Sequence, residues 1–281
     1  MFWILVIGSL TAINCSLIGV FLVLRKASMM GDAISHAVLP GIVLAFLIAG
    51  TKSTPGVLLG AGSVGLLAAL LMEFLYRKVG LQNDASIGIN FTWLFAVGII
   101  LISFFSKRVD LDPDCILYGE IAYASLDTWT SPAGVDWGPR SFYILLGMLA
   151  VNIFFVATGY KQLTVTTFDP AFAASMGIRT AVWHYLLMAL TAFTAVASFE
   201  VVGAVLVVAL LVAPAAAAYL LTHRLWHMIL LATGFGVLSA VGGSLLAQQV
   251  NGSVAGAIAS VSGILFGVAF LLRSKSVALQ S

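Results

Sequence analysis

The chain has 281 residues, of which 61% are hydrophobic and 9% charged, with a formal net charge of +2. An ordinary soluble domain carries about 25% charged residues, so this deficit excludes a water-soluble globule, and the high hydrophobicity excludes a disordered chain. The charge balance provides no basic field for nucleic acid, and the two cysteines, Cys15 and Cys115, make neither a disulfide framework nor a zinc motif. What remains is an all-α polytopic membrane protein whose few polar residues carry the chemistry.

The first apolar run, 2–24, follows no Lys or Arg and therefore lacks the basic lead of a signal peptide. It is long enough to cross about 30 Å of hydrocarbon and is predicted to be a retained span. Further runs at 34–50, 56–76, 87–105, 141–160, 181–199, 201–222, 226–248 and 254–272 bring the expectation to eight or nine transmembrane helices. The alternation over about 10 residues that marks an outer-membrane barrel is missing. With nine spans, Arg25, Lys26, Arg77, Lys78, Lys161, Arg179, Arg224, Arg273 and Lys275 share one face, which the positive-inside rule makes cytoplasmic; Lys52, Lys107, Arg108 and Arg140 fall on the other. The C-terminus is then inside and the N-terminus outside. Residues 1–281 read as one transmembrane domain with no separate soluble unit.

Along the chain, the first polar cluster is Gly31-Asp32-Ala33-Ile34-Ser35-His36-Ala37-Val38-Leu39-Pro40-Gly41. Asp32 and His36 are four apart, so in a helix they share a face about 5–6 Å apart at Cβ. A carboxylate and an imidazole so placed can chelate one dication. Pro40 and Gly41 mark a helix irregularity, and an ionisable pair entering a span beside one points to a translocation path. The alternative is that Asp32 is an N-cap and His36 a satisfied interior histidine. Oxygen and imidazole donors suit manganese, iron or zinc. The thioethers of Met29 and Met30 give only a weak case for copper(I), because Met more often fills gaps.

The segment 106–140 holds Asp110, Asp112, Asp114, Glu120, Asp127 and Asp136, six of the eleven acids. Outside the membrane it is either a solvated loop or an acidic platform that docks a partner delivering a cation. The loop 161–180 contains Asp169-Pro170, a capping Asp followed by Pro at the first helical position. A short helix closed near Gly177 is expected there. It is either a helix seated in a groove of a cytosolic partner or a plain connecting turn. Glu200 lies between two apolar runs: at the tip of a hairpin it is solvated, whereas in one bent helix it is buried and needs a partner. His184, His223 and His227 read as ordinary interfacial residues. Gly56/Gly60, Gly252/Gly256 and Gly263/Gly267 have the small-xxx-small spacing of close helix contacts. A phosphate-binding loop is absent; Gly50-Thr51-Lys52-Ser53 has Thr where the second Gly must stand. No catalytic triad or metalloprotease motif is visible, so the chain is not expected to be an enzyme.

Three stretches resemble a known family. RKASMMGDAISHAVLPG at 25–41 resembles the signature of the membrane permeases of manganese/zinc/iron ABC importers, the ABC-3 family, and FDPAFA at 168–173 and VGAVLVVALLVAPAAAA at 202–218 agree with it. The resemblance spans about 15–272, and VDLDPDCILYGEIA at 109–122 is similar to the manganese or iron branch. It implies a type II ABC importer-like bundle, a permease dimer, two cytosolic ATP-binding subunits and an extracytoplasmic metal-binding protein, in a bacterial inner membrane. It also implies metal coordination in the path by Asp32 and His36. A coupling helix built around Asp169, Pro170, Phe172 and Gly177 would dock the ATPase. The resemblance does not carry Glu200 as a metal ligand; that expectation rests on its place near an outer mouth. No resident cofactor is implied, only a transported Mn, Zn or Fe ion, with ATP hydrolysis on a separate subunit. A reading from another class is a stand-alone secondary transporter or channel, which would show inverted repeats and midplane charges on paired broken helices.

Overall fold

The computed structural model describes residues 1–49, 54–105, 121, 128–130 and 136–278. Its helices are α1 Phe2–Leu24, α2 Met29–Ala37, α3 Leu39–Ala49, α4 Thr54–Phe74, α5 Asn83–Phe105, α6 Arg140–Phe168, α7 Pro170–Ser175, α8 Thr180–Val202, α9 Ala204–Leu221, α10 Leu225–Val250 and α11 Val254–Ala278. A π-helical turn, Leu75–Val79, prolongs α4. Among the described residues, seven helices are long and apolar enough to cross a membrane, beside the shorter apolar segments Met29–Ala45 and Leu58–Phe74. The chain is therefore a multi-pass helical bundle with the span number expected.

Boundaries differ from the sequence expectation where polar residues join helices. The second span begins at Met29 rather than near 34, because the polar Gly31–His36 stretch is itself helical, and it breaks at Val38 ahead of Pro40. Proline has no N–H to continue the ladder, and the break is bridged by Gly41 N–H donating to the Val38 carbonyl at 2.8 Å. Likewise α6 runs through 161–168, so the cytoplasmic loop is shorter than 161–180. Its 29 residues make a rod about 44 Å long. The acidic stretch 106–120 lies outside the described residues, as do 122–127 and 131–135. What is described of this segment includes a small antiparallel ribbon, β1 Thr128–Thr130 with β2 Asp136–Pro139, pairing Thr128 with Pro139 and Thr130 with Asp136.

Helix α1 is the axis of the larger subset, packed against α6, α8, α9 and α10, while α2 packs on α5, α4, α8 and α9, and α3 on α4 and α5. Close approach depends on missing side chains. A Cβ at Gly19 of α1 would run into the carbonyl oxygen of Leu211 on α9, and one at Gly243 of α10 into the backbone of Ile258 on α11. Of the small-residue pairs expected from sequence, Gly60 does pack, against Ala45 and Gly41 of α3, whereas Gly263 and Gly267 face open space. At the centre, Asn152 of α6 donates to Asn14 Oδ1 of α1 (2.9 Å) and to Thr194 Oγ1 of α8 (3.1 Å), and Asn14 Nδ2 donates to the Leu145 carbonyl at 3.1 Å. Buried amides of this kind tie membrane helices together because no water competes for them.

The ends sort into two levels. Trp3, at the start of α1, meets Phe142 and lies against Gly138 beside β2. Arg25, just beyond the end of α1, meets the end of α6 and the start of α8. The start of α1 thus shares a level with the start of α6, and its end with the end of α6 and the start of α8; the level at Arg25 is called the inner one, as the positive-inside rule would have it.

Candidate functional site

Met29 opens α2 with Ser28 at the cap position, and no side chain caps the helix there. Asp32 therefore lies within the first turn and does not act as the N-cap. One turn on, His36 Nε2 stands 3.4 Å from Asp32 Oδ1. The imidazole is held between two rings of α5, with centroids 6.0 Å from Phe91 and 5.6 Å from Phe95. Ser35 points elsewhere, donating to the Gly31 carbonyl at 2.8 Å. Phe91 and Phe95 lie about 12 and 18 Å along α5 from its inner start, which sets His36 near mid-depth. Yet the Asp32 side chain is 46% exposed and that of His36 27%. Asp32 lies one turn nearer the inner end, in the first turn of α2, and an ionisable pair entering a span in this way suits a cavity or a second protein surface on its open side.

One carboxylate oxygen and one imidazole nitrogen supply two donors to an ion. Among the described residues no third His, Cys, Asp or Glu joins them. Glu200 is set apart from this pair. It lies exposed in the last turn of α8, three residues before Gly203, whose positive φ of 81° separates α8 from α9. The two runs are thus separate helices joined at the outer level, and Glu200 is at their tip.

At the inner level, α7 has the form its sequence suggests. The Asp169 side chain accepts from Phe172 N–H at 2.9 Å, Pro170 occupies the first turn, and Gly177, at φ 79°, follows the last turn, with Ile178 N–H donating back to the Ala173 carbonyl. Ala173 is fully buried, whereas Phe168, Phe172 and Met176 are each more than half exposed. Phe172 on α7, with Phe168 just before it and Met176 just after it, thus forms an exposed apolar surface.

Sequence reasoning missed a polar group beside it. The Arg25 guanidinium donates from Nε to Thr167 Oγ1 (3.1 Å) and from Nη2 to Thr166 Oγ1 (3.0 Å), and its Nη1 lies 3.3 Å from His184 Nδ1. His184 Nε2 is 3.0 Å from Oε2 of the buried Glu73 on α4. His184 is thus no plain interfacial residue. Burial pushes the Arg25 guanidinium down to about 10, which leaves it charged at neutral pH. The available signal was Glu73, a lone acid inside an apolar run.

A profile of the ABC 3 transport family matches residues 1–273. The chain is 46% identical over 269 residues, 96% of this chain and 90% of the relative, to the manganese transport system membrane protein MntD of Bacillus subtilis (strain 168). It is 38% identical over 273 residues, 97% of this chain and 74% of the relative, to the zinc transport system membrane protein TroD of Treponema pallidum (strain Nichols). Among solved structures, PsaBC from Streptococcus pneumoniae in complex with Fab superposes with a TM-score of 0.81 at 32% identity, covering 100% of this chain and 95% of that one.

Proposed function

This chain belongs to the ABC 3 transport family, and from that premise we propose that it is the membrane permease of an ATP-driven, binding-protein-dependent importer of manganese. The observation that carries the reading is the Asp32–His36 pair, one turn apart on the same face of α2, with both side chains partly exposed. The metal is cargo. A dication leaving its external carrier exchanges part of its water shell for Asp32 oxygen and His36 nitrogen, and two donors from one chain hold it weakly enough for release. A second permease, another copy or a paralogue, covers the open side and can complete the coordination. ATP-binding subunits in the cytosol grip α7 and drive the bundle between outward- and inward-open forms. The chain itself hydrolyses nothing, and it sits in the inner membrane of a bacterium.

Manganese takes precedence from the likeness to MntD; the likeness to TroD supports zinc as the second reading, and a carboxylate–imidazole pair suits either ion. The test is metal accumulation by the purified complex in proteoliposomes, comparing manganese, zinc and iron with and without ATP. ATP-dependent manganese uptake is expected, with Asp32→Ala and His36→Ala each lowering it by about tenfold or more while membrane insertion is unchanged. Normal uptake by either variant would refute the site, and uptake without ATP would favour a stand-alone transporter.

A further inference from the structure

The inner polar group links the two elements that the proposed mechanism must connect. A guanidinium only donates hydrogen bonds, so His184 Nδ1, facing Arg25 Nη1 at 3.3 Å, is the acceptor. The imidazole proton then sits on Nε2, which donates a hydrogen bond to Glu73 Oε2 at 3.0 Å. A neutral ring bridges a cation and a carboxylate, and the arrangement spans four helices. Thr166 and Thr167 end α6 immediately before α7; His184 lies in the first turn and a half of α8, immediately after it. One side chain therefore holds both flanks of α7.

The same side chain roots the metal-bearing helix. Past Arg25, the backbone folds back at Lys26, whose φ is 56°, with Lys26 N–H donating to the Val23 carbonyl (3.1 Å) and Ala27 N–H to the Leu22 carbonyl (2.9 Å). This hydrogen-bonded reversal leads straight into α2, with Asp32 seven residues beyond Arg25. There is little slack between them.

We propose that Arg25 is a positioning residue that transmits displacement of α7 to α2, so that the Asp32–His36 pair moves when the cytosolic partner moves. A shift of α6 against α8 either drags the guanidinium, and α2 with it, or breaks its bonds. The planar fork suits the task because it reaches three acceptors in different directions, which an ammonium on a flexible stem does not.

The inference rests on the function proposed above, and the experiment separates the two. The full complex with its ATP-binding subunits is reconstituted, and manganese uptake and ATP hydrolysis are measured on the same vesicles. A wild-type complex that takes up no manganese with ATP overturns the function. Given wild-type transport, Arg25→Gln is expected to keep hydrolysis within about twofold while manganese moved per ATP falls at least tenfold, and Arg25→Lys is expected to fall between. A parallel loss of uptake and hydrolysis, or an unchanged ratio, overturns the role of Arg25. Should Arg25→Gln fail to assemble, the double variant Thr166→Val with Thr167→Val, which removes only the α6 acceptors, decides by the same ratio.

Discussion

Single residues here do work that depends on how few polar neighbours they have. Asp32 and His36 were legible because their four-residue spacing fixes a shared face whatever the rest of the chain does. Glu73 and His184 were not, because 111 residues separate them and only tertiary packing brings them together. The same holds for Asn14, Asn152 and Thr194, which look unremarkable in sequence yet form a buried amide cluster. Replacing Asn152 by Leu removes its donors to α1 and α8 and leaves Asn14 Oδ1 without that bond. Interhelical bonds in membranes contribute about 0.6–1.7 kcal/mol each, so Asn152→Leu should lower stability by about 1–2 kcal/mol. Denaturant unfolding in detergent, followed by circular dichroism, measures it; a stability equal to wild type would mean that the cluster contributes no cohesion.

At the level of elements, sequence gave existence more securely than extent. The 2–24 run is α1 to the residue, because an uninterrupted apolar stretch leaves no alternative in lipid. Helix α2 was placed too late, since polarity at Gly31–His36 hid a helix that continues the span. Spacing alone also misjudges the glycines: Gly263 and Gly267 have the small-xxx-small pattern but meet nothing among the described residues, while Gly19 has no such pattern and is in tight contact with Leu211. Gly19→Val should therefore destabilise the fold by about 1–3 kcal/mol or prevent it, whereas Gly267→Ala should change stability by less than about 0.5 kcal/mol. Thermal unfolding of the two variants in detergent checks the contrast, and equal shifts would refute it. For α7, the Asp-Pro start and the Gly end were readable as capping chemistry; the apolar exposure of Phe172 needed the fold. Phe172→Ala should weaken binding of the ATP-binding subunit by about tenfold, the scale of about 1.4 kcal/mol expected of an interface anchor, as read by co-purification at graded concentrations. Undiminished co-purification would remove α7 from the docking surface.

For the whole molecule, the seven long and two shorter apolar segments of the described residues, taken as nine spans, would put the two termini on opposite sides, in line with where Lys and Arg fall. In a background with Cys115 replaced by Ser, and Cys15 silent because it is buried, Ser253→Cys should react with a membrane-impermeant maleimide applied from outside intact cells, and His223→Cys should react only after lysis. The opposite pattern would invert the topology. The length of α6 has a mechanical consequence. Its rod of about 44 Å exceeds the roughly 30 Å of hydrocarbon it crosses, so its end turns stand beyond the apolar slab as a stiff handle rather than a tether. Force applied at the handle's tip arrives in the bilayer as tilt, undamped by any coil. On the function proposed above, a short run of glycines spliced in ahead of Phe168 would act as a slipping clutch: ATP hydrolysis on the partner subunits should continue while metal uptake stops.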